Sequence, residues 1–120
     1  MSTLTEGELT RKTCAPCEGG IPPLSPQEAR ALAGNVTGWS LSAGGQRIRR
    51  AWIVRNFMAG IEFFNKVAAV AEEEGHHPDL HLEGYRQVAV EIWTHAAGGL
   101  TENDFILAAK INQIPIELKR

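Results

Sequence analysis

Cysteine is nearly absent from this chain: Cys14 and Cys17, in Cys14-Ala15-Pro16-Cys17, are the only two. Two cysteines build no disulfide framework, and without a second Cys-x-x-Cys there is no four-thiolate zinc site. A redox motif of the thioredoxin kind needs a strand before it and a helix after it. Pro16, Gly19, Gly20, Pro22 and Pro23 make the setting a loose arm instead, so the pair reads as structural or incidental, with metal or redox use as the alternative. Charge of one sign is also lacking. The formal net charge is -2, which leaves no electrostatic footprint for nucleic acid. The local run Arg47-Ile48-Arg49-Arg50 reads as a solvated strand edge. No apolar run approaches the roughly 20 residues of a membrane helix, so no membrane span is expected. Met1 to Thr10 is acidic and polar, with neither an apolar signal core nor an Arg-rich transit pattern. The expected address is the cytoplasm. Internal repeats and low-complexity tracts are missing too.

What remains is one ordinary globular domain of 120 residues, 43% of them hydrophobic. Residues 1–24 read as an irregular N-terminal arm carrying Cys-Ala-Pro-Cys, and residues 25–120 as a single domain. Ser25 caps a short helix with Pro26 at its first position, ending at Gly34. Trp39-Ser40-Leu41, a turn at Ala43-Gly44-Gly45, and Gln46 to Val54 predict a hairpin. Asn56 caps a long helix whose apolar stripe is read as Phe57, Ile61, Phe64, Ala68 and Ala71, stopping at Gly75. Leu80 to Glu83 and Arg86 to Thr94 predict a second hairpin, with Val88, Val90 and Ile92 on one face. Thr101 starts a final helix with Asp104 three residues on and an apolar stripe of Leu107, Ala108, Ile111 and Ile114. The predicted fold is α+β, a four-stranded antiparallel sheet with helices packed on one face. The opposite face, with Trp93, Ala89 and charged residues, suits packing against a second copy, as a homodimer or homotetramer.

Three of the four histidines sit where a helix and a strand stop. Histidine exchanges protons near neutrality, so a convergence of His76, His77 and His95 points to proton transfer on a small molecule or to a metal site. Glu72 precedes His76 by four residues, close enough to reach it if the helix persists. Pro78 restricts His77 to an extended backbone. Local rules alone leave the bland reading open, because a histidine pair at a helix end often caps it. Zinc could draw on His76, His77, His81 and His95, although adjacent histidines do not readily share one face.

The full pattern narrows these choices. Glu72-x-x-x-His76-His77-Pro78 is followed by six residues to Tyr85, nine to His95 and eight to Asp104. Trp39, Gly98-Gly99-Leu100-Thr101 and Ala108-Ala109 accompany it. The pattern, over about residues 24–114, resembles the signature of the pterin-4a-carbinolamine dehydratase family. The resemblance implies dehydration of a 4a-hydroxytetrahydropterin to the quinonoid dihydropterin, with no metal or organic cofactor, in recycling that serves an aromatic amino-acid hydroxylase. It implies His76, His77 and His95 as the catalytic set, with Glu72 orienting or charging His76. Pro78, Thr94, His95, Ala96 and Ala97 would line the pterin pocket with His76 and His77. Asp104 would be a structural support at the helix start. Ala96-Ala97 stand where animal members carry Glu-Cys. Since animal members also act as dimerisation cofactors for a homeodomain transcription factor, an interaction module is the alternative. A molybdopterin-related role involving the cysteines is a further one.

Overall fold

Gly44 and Gly45 take φ values of 69° and 87°, a left-handed backbone that glycine enters without strain. The chain reverses there and joins β1 (Ser40–Ser42) to β2 (Arg47–Ile53). A second reversal at Gly84 and Tyr85, both at φ 52°, joins β3 (Asp79–Glu83) to β4 (Gln87–Ile92). The hairpins meet along β2 and β4, giving the strand order β1-β2-β4-β3, antiparallel throughout. Among the described residues, four α-helices accompany the sheet: α1 (Glu6–Thr10), α2 (Pro26–Ala33), α3 (Phe57–Glu74) and α4 (Glu102–Ile111). This computed structural model describes residues 4–15 and 22–120.

Strand alternation sends Ile48, Val88, Val90 and Ile92 to one sheet face, where they join Phe63 and Val67 of α3 and Phe105 and Leu107 of α4 in one core. Burying each such large side chain is worth about 1.5–3 kcal/mol. Gly60 lets α3 lie close to β4: a Cβ there would stand 3.1 Å from Val88 Cγ1. The opposite sheet face, with Arg49, Ala51, Ile53, Glu83 and Gln87, is exposed. The α+β architecture is thus the expected one.

Two local expectations need correction. On α3 the buried residues are Ala59, Gly60, Phe63, Val67, Ala71 and Glu74, whereas Phe57 is 48% exposed. The helix carries two apolar stripes at helical spacing, and periodicity cannot choose between them. The sheet takes the stripe with Gly60, because that one permits close approach. The arm, in turn, is not irregular throughout. Thr5 and Glu8 form a reciprocal capping box that starts α1, and α1 seats Leu9, with no exposed surface, in the core. That cover explains why α4 is buried on nearly every side from Asn103 to Ala109. Cys17, the second half of the cysteine pair, lies outside the described residues.

Candidate active site

Gly75 decides where the histidine pair goes. At φ 65° it ends α3 in the left-handed conformation. Its N–H then bonds Glu72 O, and the His76 N–H turns back to Ala71 O at 3.1 Å, the double closure of a Schellman motif. A side chain at position 75 would add about 1–2 kcal/mol of backbone strain. His76 is thereby aimed inward and is 8% exposed. His77 comes out on the surface, and Pro78 leads the extended chain into β3.

The second segment starts where β4 stops. Thr94 pairs with Gly99 across a short loop, in which His95–Ala97 form a single 3-10 turn closed by Gly98 at φ 69°. Thr94 points inward, 1% exposed, and His95 lies outside.

Asp104 ties these parts together. It has no exposed surface. Its Oδ1 lies 2.6 Å from His76 Nε2, and its Oδ2 accepts both the Thr94 hydroxyl and the Thr101 N–H at 2.8 Å. The Thr94 and Thr101 hydroxyls also meet at 2.8 Å. A carboxylate only accepts, so the hydrogen sits on His76 Nε2 and Nδ1 is the nitrogen not committed to Asp104. One buried carboxylate therefore links the end of α3, the end of β4 and the start of α4. At the helix start it accepts the Thr101 N–H, and the sequence reading had no bond from it to His76.

Glu72 was expected beside His76 and is found elsewhere. Its Oε1 is 3.2 Å from His77 Nε2, on the surface. The reason is Gly75: helical geometry does not persist past it, so the four-residue spacing no longer brings Glu72 to His76.

His76, His77 and His95 come together around one hollow of about 270 Å³, lined by Gly75, His76, His77, Trp93, Thr94, His95 and Ala96. That is just below the range of small-molecule sites, which run from about 300 Å³. Pro78 and Ala97 are not among the lining residues. Gly75 and Trp93 are, and sequence reading passed over both; the in-phase spacing of Trp93 and His95 was the available signal. The indole and imidazole rings stack with centroids 3.9 Å apart. A larger hollow of about 550 Å³, near the ends of α1, α3 and α4, has Glu73, Glu74, Lys66 and Lys110 but no histidine. His81 faces the exposed side of the sheet, with Nε2 3.5 Å from Glu91 Oε1. Among the described residues no group of three or more His, Cys, Asp or Glu is disposed to hold a metal.

The arm docks directly behind this site. The Cys14 N–H donates to Glu74 Oε1 at 2.8 Å, and Ala15 and Asn103 exchange two amide hydrogen bonds of 2.9 and 2.7 Å. Glu74 also pairs with Lys110 Nζ at 2.6 Å. Burial works against the charged form of Glu74, but Lys110 and the Cys14 N–H outweigh it and hold the carboxyl below its usual range. Burial, helped by the Glu74 carboxylate, pushes the Cys14 thiol up to about 12. Thiolate is the reactive species. At pH 8 folded Cys14 should carry on the order of a thousandfold less of it than a thiol titrating near 9. In a Cys17→Ser variant, iodoacetamide labelling of Cys14 is expected to be slow in buffer and fast in denaturant. Equal rates would show that the docked arm does not protect it.

A carboxylate-held buried imidazole beside two exposed ones, around a small hollow, is an arrangement able to exchange protons with a small molecule. The comparisons with known proteins give the family. Residues 22–114 match the family model described as pterin 4 alpha carbinolamine dehydratase, and the chain belongs to that family. It is 50% identical over 113 residues to an Arabidopsis thaliana protein named pterin-4-alpha-carbinolamine dehydratase 2, mitochondrial, covering 92% of this chain and 60% of the relative. A chloroplastic Arabidopsis relative is 48% identical, with 50% of its length covered. Against those two, the chain spans only about half to three-fifths of their length. A Methylococcus capsulatus protein named as a pterin-4-alpha-carbinolamine dehydratase is 44% identical, with 91% of this chain and 95% of that one covered. Among solved structures, a transcriptional coactivator/pterin dehydratase from Brucella melitensis superposes with a TM-score of 0.69 at 30% identity, covering 75% of this chain and 95% of that one. No helix among the described residues is long and apolar enough to cross a membrane.

Proposed function

We propose that this chain removes water from a 4a-hydroxytetrahydropterin to give the quinonoid dihydropterin, with imidazoles as acid and base. The observation that most supports the reading is the convergence of His76, His77 and His95, from two separate segments, on one hollow. The C4a–O bond breaks as the neighbouring ring nitrogen forms a C=N bond, a proton goes to the departing oxygen, and the ring N–H gives one up. Acid and base must flank one small ring, and imidazoles suit both tasks near neutral pH. Neither metal nor organic cofactor takes part. His76, held by Asp104, is the buried member of the set, and the exposed His77 and His95 line the same hollow. The product returns to a reductive cycle serving an aromatic amino-acid hydroxylase.

The test is direct. Purified protein should consume a synthetic 4a-hydroxytetrahydropterin far faster than buffer alone, and a chelator should leave that rate unchanged. A rate equal to that of buffer sinks the proposal; a rate abolished by chelation would replace imidazole catalysis with a metal.

We propose that copies of the chain associate, through the exposed sheet face and the outer stripe of α3 at Phe57, Ile61 and Phe64. Light scattering of the purified protein reads this, and a monomer at micromolar concentration would contradict it. The Brucella relative, named both coactivator and dehydratase, favours one second reading, an interaction module. Tight association with a regulator, without any dehydratase rate, would select it. We further propose the cytoplasm as the working compartment, although the family includes relatives named mitochondrial and chloroplastic. Fractionation with an antibody to the native protein checks it, and enrichment in an organelle would contradict it.

A further inference from the structure

The three imidazoles are supported in three different ways. His76 has Asp104 at 2.6 Å and His77 has Glu72 at 3.2 Å. The His95 ring has no hydrogen-bond partner among the described residues. It is exposed, and it stands on a three-residue turn. Its one aromatic contact among the described residues is the stack on Trp93, centroids 3.9 Å apart and planes 35° from parallel. Without that contact an exposed imidazole samples several rotamers, and only a fraction of them face the hollow.

We propose that Trp93 is the positioning residue of His95: its indole is the surface that fixes the imidazole over the hollow. The assignment rests on the dehydratase reading for its kinetic consequences, but not for the stack itself. Trp93 is suited to the task because it is held in turn. The Arg47 guanidinium packs on the indole 4.7 Å from the ring centroid. Arg47 is itself placed between Glu91 at 3.6 Å and Asp79 at 3.9 Å. The support thus runs from β2, β3 and β4 into the exposed side chain on the turn.

The indole nitrogen sharpens the inference. Trp93 Nε1 is closed off from solvent and has no hydrogen-bond partner among the described residues. A buried tryptophan kept for its donor would have one. What the site uses here is the flat face, which a phenylalanine also offers. His95 therefore needs an aromatic ring at this position, and the N–H is dispensable.

The experiment compares Trp93→Ala and Trp93→Phe, alone and in a His95→Ala background. Trp93→Ala is expected to lower kcat by about tenfold to a hundredfold, the scale of a misplaced catalytic group, with a smaller change in KM. Trp93→Phe should restore most of kcat. In the His95→Ala background, Trp93→Ala should cost nothing further, since a residue acting through another loses its effect when that other is gone. Undiminished kcat in Trp93→Ala, failure of phenylalanine to rescue, or additive losses in the double variant would each overturn the proposal. NMR separates this failure from failure of the dehydratase reading. The His95 ring protons should show an indole ring-current shift that disappears in Trp93→Ala, whether or not the protein has any dehydratase rate. Absence of that shift in the folded wild-type protein removes the stack and the proposal with it.

Discussion

His76→Ala and His95→Ala are expected to lose similar amounts of activity and very different amounts of stability. A positioned acid or base contributes about 10²–10⁴-fold in rate, and each variant removes one imidazole from the hollow. The folding consequences diverge because the environments do. His95 is exposed and without a hydrogen bond among the described residues, so its loss should move stability by no more than about 0.5 kcal/mol. His76 is buried, 2.6 Å from Asp104 Oδ1, and its loss leaves a buried carboxylate oxygen without its partner. That should cost about 3 kcal/mol. Urea unfolding with a parallel decay assay reads both quantities. Equal stability losses would mean that the buried pair is not the structural centre described above. The double variant should be little slower than either single one, because residues that act as a unit are not additive.

The second large effect belongs to Asp104. Asp104→Ala removes the acceptor for His76, the Thr94 hydroxyl and the Thr101 N–H at once, and leaves a cavity at a position with no exposed surface. A loss of about 3–5 kcal/mol is expected, enough to threaten folding in a domain of this size. Asp104→Asn is the informative companion. It keeps the shape and one acceptor for Thr101, but its amide would donate toward His76 Nε2. The imidazole hydrogen must then move to Nδ1, so the nitrogen not held by residue 104 changes character. Asp104→Asn should fold and still lose on the order of 10²–10⁴-fold in rate, the scale seen when a histidine is held in the wrong tautomer. ¹⁵N NMR of the His76 ring reports the tautomer. A folded Asp104→Asn protein with a full rate would reduce Asp104 to a helix cap.

Much of this arrangement was legible one segment at a time. Gly44-Gly45, Asn56 and Gly75 marked turns and helix ends because each does its work within a few residues. The histidine spacing pointed to the two chain segments that line the hollow for the same reason. What sequence reading missed depends on distance or on rotation. Which stripe of α3 faces the sheet turns on the contact of Gly60 with Val88, far along the chain. The partner of His76 is Asp104, 28 residues away, and no local rule ranks it above Glu72. Glu72 itself was misassigned because the left-handed turn at Gly75 breaks the helical phase that the spacing assumed. Helix α1 is a different kind of miss. Thr5-Glu6-Gly7-Glu8 followed by Leu9 is a capping box before an apolar residue, readable in principle but hidden by the loose composition of the residues after it.

The central claim is that a pterin ring occupies the hollow between the two histidine segments. Amide and side-chain NMR of the folded protein, titrated with a stable dihydropterin, tests it most directly. Shifts should concentrate at His76, His77, Trp93, Thr94, His95 and Ala96, with His81 and Arg49 on the exposed sheet face unmoved. Saturable shifts centred on His81 and Arg49, with the three clustered imidazoles silent, would put the ligand on the sheet surface away from the hollow and contradict the account.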